Sequence, residues 1–136
     1  MPFNWDEFLN LAEQLATAPD DASKRSAISR AYYAVFNPAF SRAEQNCGKP
    51  VGTNKHEWCW NRYMGTVDGT NKCQEVGIQG DRLKQMRVKA DYKDHVDRLD
   101  DEVKAAIKRA KDIKGRLQAL NAQMPNLAPQ TGAAKK

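Results

Sequence analysis

Apolar positions recur every three or four residues through most of the chain, the spacing of one buried face of an α-helix. Trp5, Phe8, Leu9, Ala12, Leu15 and Ala16 follow it, and Asn4 with Glu7 three positions on is a helix-start signature. The pattern predicts a first helix over about residues 5–17. Ala18, Pro19 and Asp20 interrupt it, and a second periodic segment starts near Asp21 with Ala27, Ile28, Ala31, Tyr32, Val35 and Phe36. Pro38 has no amide hydrogen and disfavours a helical Asn37, so this helix is expected to kink or stop there before any continuation towards Gln45.

Residues 46–54 read as a loop, and Lys55 to Met64 as a short helix with Trp58, Cys59 and one of Arg62 or Tyr63 turned inward. Two glycines and alternating polar residues make 65–73 a second loop, with a turn expected at Asp68 and Gly69. From about Glu75 a helical pattern carries Leu83, Met86, Arg87 and Ala90. A long run then follows through Val96, Leu99, Val103, Ala106, Ile107, Ala110, Ile113, Leu117 and Leu120. Its steps of three and four suit a coiled-coil seam, but in a small domain such a stripe reads first as the core face of a bundle helix. No segment alternates with period two. The expected fold is therefore all-α: an antiparallel bundle of four to five helices over residues 1–122, followed by a disordered tail over 123–136 that has little to bury.

Composition narrows the class. With 136 residues the chain is one domain in size, and 40% hydrophobic against 29% charged residues suits a folded protein. The longest apolar run, Ala31 to Phe36, is six residues against the roughly 20 that span a bilayer, so no membrane segment is expected. Five acids and no Lys or Arg in the first 23 residues are the reverse of a secretory leader. Cys47, Cys59 and Cys73 leave an odd thiol and no close metal-ligand pair, which suits a reducing cytoplasm. The formal charge of +5 is unevenly spread: residues 1–23 carry −5, residues 24–49 and 81–118 carry +4 each, and 50–80 balance. Basic segments lower the cost of approaching a phosphate backbone, whereas interleaved acids on a helix also describe a salt-bridged surface.

Arg30 and Asn37 are seven positions apart, so an unbroken helix puts them on one face about 10.5 Å apart along its axis. A functional cation beside a polar acceptor competes there with an arginine that packs its stem and pairs with Asp20 or Glu44. Tyr32 and Tyr33 point about 100° apart, so one is expected in the core and the other at an interface or beside a site. His56, between Lys55 and Glu57, is a candidate proton carrier or a helix-start cap. His95, among Asp91, Asp94 and Asp97, reads as part of a solvated acidic segment. No zinc-ligand spacing or phosphate-cradling glycine loop is present in the sequence, and no metal or cofactor is expected.

The string SAISRAYYAVF at 26–36, read with RLKQMRVKADY at 82–92, resembles HEPN domains, the higher eukaryotes and prokaryotes nucleotide-binding class. The likeness is to the small bacterial branch with SRAYYA and a downstream RxKADY, and it covers about residues 5–120 with Lys55 and His56 between the two motifs. It implies an all-α bundle that dimerises through its motif-bearing helices. Many HEPN proteins are metal-independent endoribonucleases of toxin–antitoxin, phage-defence or RNA-processing systems, with a motif of Arg, four to six residues, then His. Arg30 matches the arginine; Asn37 stands near the place of the histidine, and its neutral amide does not titrate near pH 7. On this resemblance Arg30 would stabilise the scissile phosphate, Asn37 would position groups and His56 would carry protons, with Tyr33, Lys55 and Arg87 binding substrate. The implied partners are RNA, a second copy of the chain and a nucleotidyltransferase-type antitoxin. Two other functions compete: a noncatalytic HEPN-like module binding RNA, a nucleotide or a protein, which Asn37 favours, and a structural dimer joined through the Val96 to Leu120 stripe.

Overall fold

The computed structural model describes residues 3–50, 52, 54–66 and 71–122, with side chains as far as Leu120. The expected turn at Asp68 and Gly69 and the expected tail over 123–136 lie outside them. The described residues form five helices and no strand: α1 (Asp6–Ala16), α2 (Asp21–Cys47), α3 (Lys55–Met64), α4 (Lys72–Tyr92) and α5 (Leu99–Ala122).

Local chemistry sets the helix ends. Asn4 Oδ1 accepts the Asp6 N–H at 3.0 Å, and Asp6 and Glu7 put negative charge at the positive end of α1. Asp20 Oδ2 caps α2 through the Ser23 N–H at 2.9 Å, and the same bond holds the Asp20 carboxyl below its ordinary pKa. Asn54 caps α3 by accepting the Glu57 N–H at 3.0 Å. α2 ends at Gly48, whose φ of 81° is reached at least cost by glycine and whose N–H bonds the Glu44 carbonyl.

Of the kink or stop expected at Pro38, the stop does not occur: α2 continues through the proline to Cys47. Pro38 lies on the exposed side, while Ala34, Val35 and Phe36 before it and Ala39 and Ala43 after it are buried. Burial on both sides of the proline outweighs the roughly 3 kcal/mol that an interior proline costs. The start of the last helix also differs. The periodic run was expected to include Val96, but Arg98 takes φ 53° and α5 begins at Leu99.

Contacts fix the direction of each helix. Arg25, near the start of α2, donates to the carbonyls of Ala90, Lys93 and Asp94 at the end of α4, so these two helices are antiparallel. Lys89 to Glu102, and Arg109 Nη1 to Gln79 Oε1, make α4 and α5 antiparallel. Asp6 to Lys114 at 3.0 Å and Glu13 to Lys111 at 2.5 Å join α1 to α5. α2 and α5 run in the same direction, tied by Lys24 to Asp100 at one end and Arg42 Nη1 to the Leu117 carbonyl at the other. The stripe of α5, from Val103 to Leu120, is buried inside this bundle, which makes it core.

α3 closes one side against α4. Two glycines of α4 allow the approach: a Cβ on Gly77 would lie 2.7 Å from the Trp60 carbonyl oxygen, and one on Gly80 would fall inside the Trp60 indole. Trp60 is thereby seated with no solvent exposure at the centre of the molecule, in contact with Tyr32 and Tyr63.

Candidate functional site: an aromatic and basic cluster around His56

Tyr32 and Phe36 stand one turn apart on α2, as His56 and Trp60 do on α3, so the two helices press four rings together. His56 stacks on Phe36 at 4.3 Å between centroids and meets Tyr32 at 5.6 Å and Tyr33 at 5.9 Å. Trp60 Nε1–H donates to Tyr32 Oη at 3.1 Å, and Tyr32 Oη lies 2.8 Å from His56 Nδ1.

The direction of this chain follows from donor chemistry. Indole nitrogen only donates, so Tyr32 Oη accepts from it, and the fully buried tyrosine needs an acceptor for its own proton. His56 Nδ1 is that acceptor. Burial also raises the Tyr32 pKa far above the ordinary value, so the phenol keeps its proton. A neutral imidazole accepting at Nδ1 carries its hydrogen on Nε2. His56 therefore offers an N–H donor at Nε2 rather than a free basic nitrogen.

Arg87 of α4 completes the cluster. Its guanidinium lies over the rings of Tyr32 at 5.4 Å and Tyr33 at 5.6 Å, while Nη1 reaches Asp91 at 3.3 Å. Its Nε is buried without a hydrogen-bond partner in the structure, and the ring faces supply much of what solvent would. Burial, first, and then the charges of Arg87, Lys55 and Lys84 push the His56 pKa down to about 4. Three cations acting on one half-buried ring mean a positive local potential.

The six residues expected to form a site divide unevenly. His56, Tyr33 and Arg87 are brought together, and Lys55 is next to them, exposed, with its Nζ 5.8 Å from the centre of the Phe40 ring. Arg30 leans the other way: it lies over Phe8 of α1 at 4.9 Å, and on α2 it points about 160° away from Tyr32. Arg30 and His56 thus sit on different sides of α2. Asn37 is within about 20° of Arg30 around the helix, but its amide donates to the Tyr33 carbonyl at 3.1 Å. That bond spends one amide hydrogen on the helix itself.

Sequence reasoning missed Tyr32 and Trp60 as the pair that fixes the histidine. The signal was present as two one-turn spacings, 32 with 36 and 56 with 60, but only the packing of α3 on α2 brings them together. Among the described residues no group of His, Cys, Asp and Glu is arranged to hold a metal ion, and no disulfide joins Cys47, Cys59 and Cys73. No described helix is long and apolar enough to cross a membrane. No protein-family model, curated protein or solved structure matches the chain.

Proposed function

We propose that this protein is a HEPN-like helical module that binds RNA without cleaving it. The observation that carries this reading is the His56 ring held as an Nε2–H donor among Arg87, Lys55 and Lys84, beside the half-buried ring of Tyr33. A donor in a positive field suits a phosphate oxygen, and a partly exposed tyrosine edge suits a base. Acid–base cleavage asks for more. With a pKa of about 4, His56 is protonated in only about one molecule in a thousand at pH 7, so it is a poor general acid. Its Nδ1 is occupied by Tyr32, and Asn37 does not titrate.

The cleaving alternative, a metal-independent endoribonuclease of a toxin–antitoxin or phage-defence system, keeps one supporting observation: α2 is unbroken, so Arg30 and Asn37 share an edge of one helix. Under either reading the expected partners are RNA and a second copy of the chain; a nucleotidyltransferase-type antitoxin belongs to the nuclease alone.

The test is binding and cleavage of labelled single-stranded and hairpin RNA in EDTA by wild type, Tyr33→Ala, Lys55→Gln, Arg30→Ala and Asn37→His, with the oligomeric state measured on the same samples. Binding without turnover that Tyr33→Ala and Lys55→Gln each weaken by about three- to tenfold is expected. Cleavage by wild type that Arg30→Ala abolishes would establish the nuclease, and absence of RNA binding would remove both.

A further inference from the structure

The aromatic side of α2 continues beyond the residues that hold His56. Phe36 is buried and has a ring on either side of it along the helix: Tyr33 edge-on at 6.1 Å and Phe40 stacked at 5.4 Å. His56 rests on this middle ring, with centroids 4.3 Å apart. Tyr33 and Phe40 are seven positions apart, so they point within about 20° of one another and lie about 10.5 Å apart along the axis. The histidine is thus seated at the ring between them.

Phe40 is built as a platform. It is half-buried, as Tyr33 is, and Trp58, almost fully buried, braces it edge to face at 5.7 Å. Each of the two half-buried rings has a cation over it: Arg87 over Tyr33 at 5.6 Å and Lys55 Nζ over Phe40 at 5.8 Å. Lys55 is exposed and has no acidic partner among the described residues, so moving one flexible side chain opens the Phe40 ring to a ligand and leaves the ammonium beside it. Sequence reasoning did not single out Phe40, because an aromatic at helical spacing reads as core.

The spacing selects the ligand. A duplex keeps its bases stacked on one another with their faces hidden, so it cannot offer two of them to rings about 10.5 Å apart. A single strand with its bases splayed can. The phosphate that joins two such nucleotides falls near the middle, where the His56 Nε2–H and Lys55 stand. Glu44 follows Phe40 by one turn of α2, and negative charge there opposes a further phosphate. We propose that the seam between α2 and α3 binds two neighbouring, unstacked nucleotides of single-stranded RNA, one base on Tyr33 and the other on Phe40, with the phosphate between them at His56 and Lys55. This rests on the RNA reading above and adds to it a strand type, a footprint and a second base platform.

Stacking on a ring face tolerates any base, so hexauridylate, which stacks little on itself, is a sufficient probe. Anisotropy titrations in EDTA compare it, labelled, with the same hexamer lacking its bases and with a short RNA duplex. Hexauridylate is expected to bind tightest, with the other two each about tenfold weaker or more. Phe40→Leu keeps the apolar bulk but not the π-face. It should weaken hexauridylate about three- to tenfold and leave the abasic hexamer unchanged, which also checks that the variant is folded. Tyr33→Leu should do the same, and the two together should bring hexauridylate to the abasic level. In wild type the ring protons of both Tyr33 and Phe40 should shift saturably on titration. Hexauridylate binding that Tyr33→Leu weakens and Phe40→Leu does not, with no shift at the Phe40 ring, would overturn the second platform and leave the RNA reading in place. A duplex held as tightly as hexauridylate would overturn the strand type. No binding of any of the three would remove the RNA reading and this proposal with it.

Discussion

At His56, two buried neighbours decide what one ring nitrogen offers to solvent. Trp60 can only donate, Tyr32 passes its own proton on, and the imidazole receives it at Nδ1. Tyr32→Phe removes the middle of that chain. It leaves the Trp60 N–H without its acceptor, and stability should fall by roughly 1–3 kcal/mol in denaturant unfolding. Long-range ¹H–¹⁵N spectra of the ring should show the Nε2–H form in wild type and loss of that preference in Tyr32→Phe. A wild-type ring protonated at Nδ1 would refute the assigned direction. The same histidine links folding to pH. Its folded pKa of about 4 lies below the unfolded value of 6.5, so between those values the unfolded chain binds more protons. The contribution is complete above pH 6.5 and is lost as pH falls from there towards 4. Because the ring is half-buried, the loss should be on the order of 1–2 kcal/mol after solvent screening. His56→Gln should flatten that part of the stability profile; an unchanged profile would mean that other groups carry it.

At the scale of the helices, the closeness of α3 and α4 rests on missing side chains. Gly80 gives its space to the Trp60 ring, so Gly80→Ala gains helix propensity but forces the indole or the helix to move. Overpacking should win, with a net loss of roughly 1–3 kcal/mol and a changed near-ultraviolet tryptophan signal. A stabilised Gly80→Ala protein with an unchanged signal would show that α3 is not pressed against this position. Glycines in a helix read from sequence as weak points, and their use as contact surface became legible only once α3 was placed. The starts of α1, α2 and α3 were legible because apolar spacing begins after the Asn4 signature, after the Ala18–Asp20 interruption and after the 46–54 loop, whereas the caps at Asp20 and Asn54 emerged only with the structure. Whether α2 stops or continues at Pro38 was not legible, because the local rule is set against burial on both flanks, and burial is a property of the assembled bundle. A shared role for Arg30 and His56 was implied by the resemblance alone; a direction around the helix decides an arginine's neighbours within the chain, and α1 packing on that side gives Arg30 the ring of Phe8.

Across the whole molecule, the uneven charge of the sequence is largely absorbed within it. The acidic first segment meets the basic last helix through Asp6 with Lys114 and Glu13 with Lys111, and Lys24 of the basic second segment meets Asp100. Arg25 and Arg42 serve backbone carbonyls, while Lys84, Arg87, Lys89, Arg98 and Arg116 each have an acidic neighbour. A net charge of +5 thus overstates the positive surface that a polyanion meets. The cluster around His56 supplies only a few cations, Lys55 the most exposed of them. On the proposed function, RNA held there would release few counterions. For about three phosphates on a single strand, the plot of log Kobs against log salt should have a slope near −2. Lys55→Gln should make it shallower by about 0.7, while Lys111→Gln, whose partner is Glu13, should leave it unchanged. A slope steeper than about −5 would require a broad basic surface, and these ion pairs would then have to open when RNA binds.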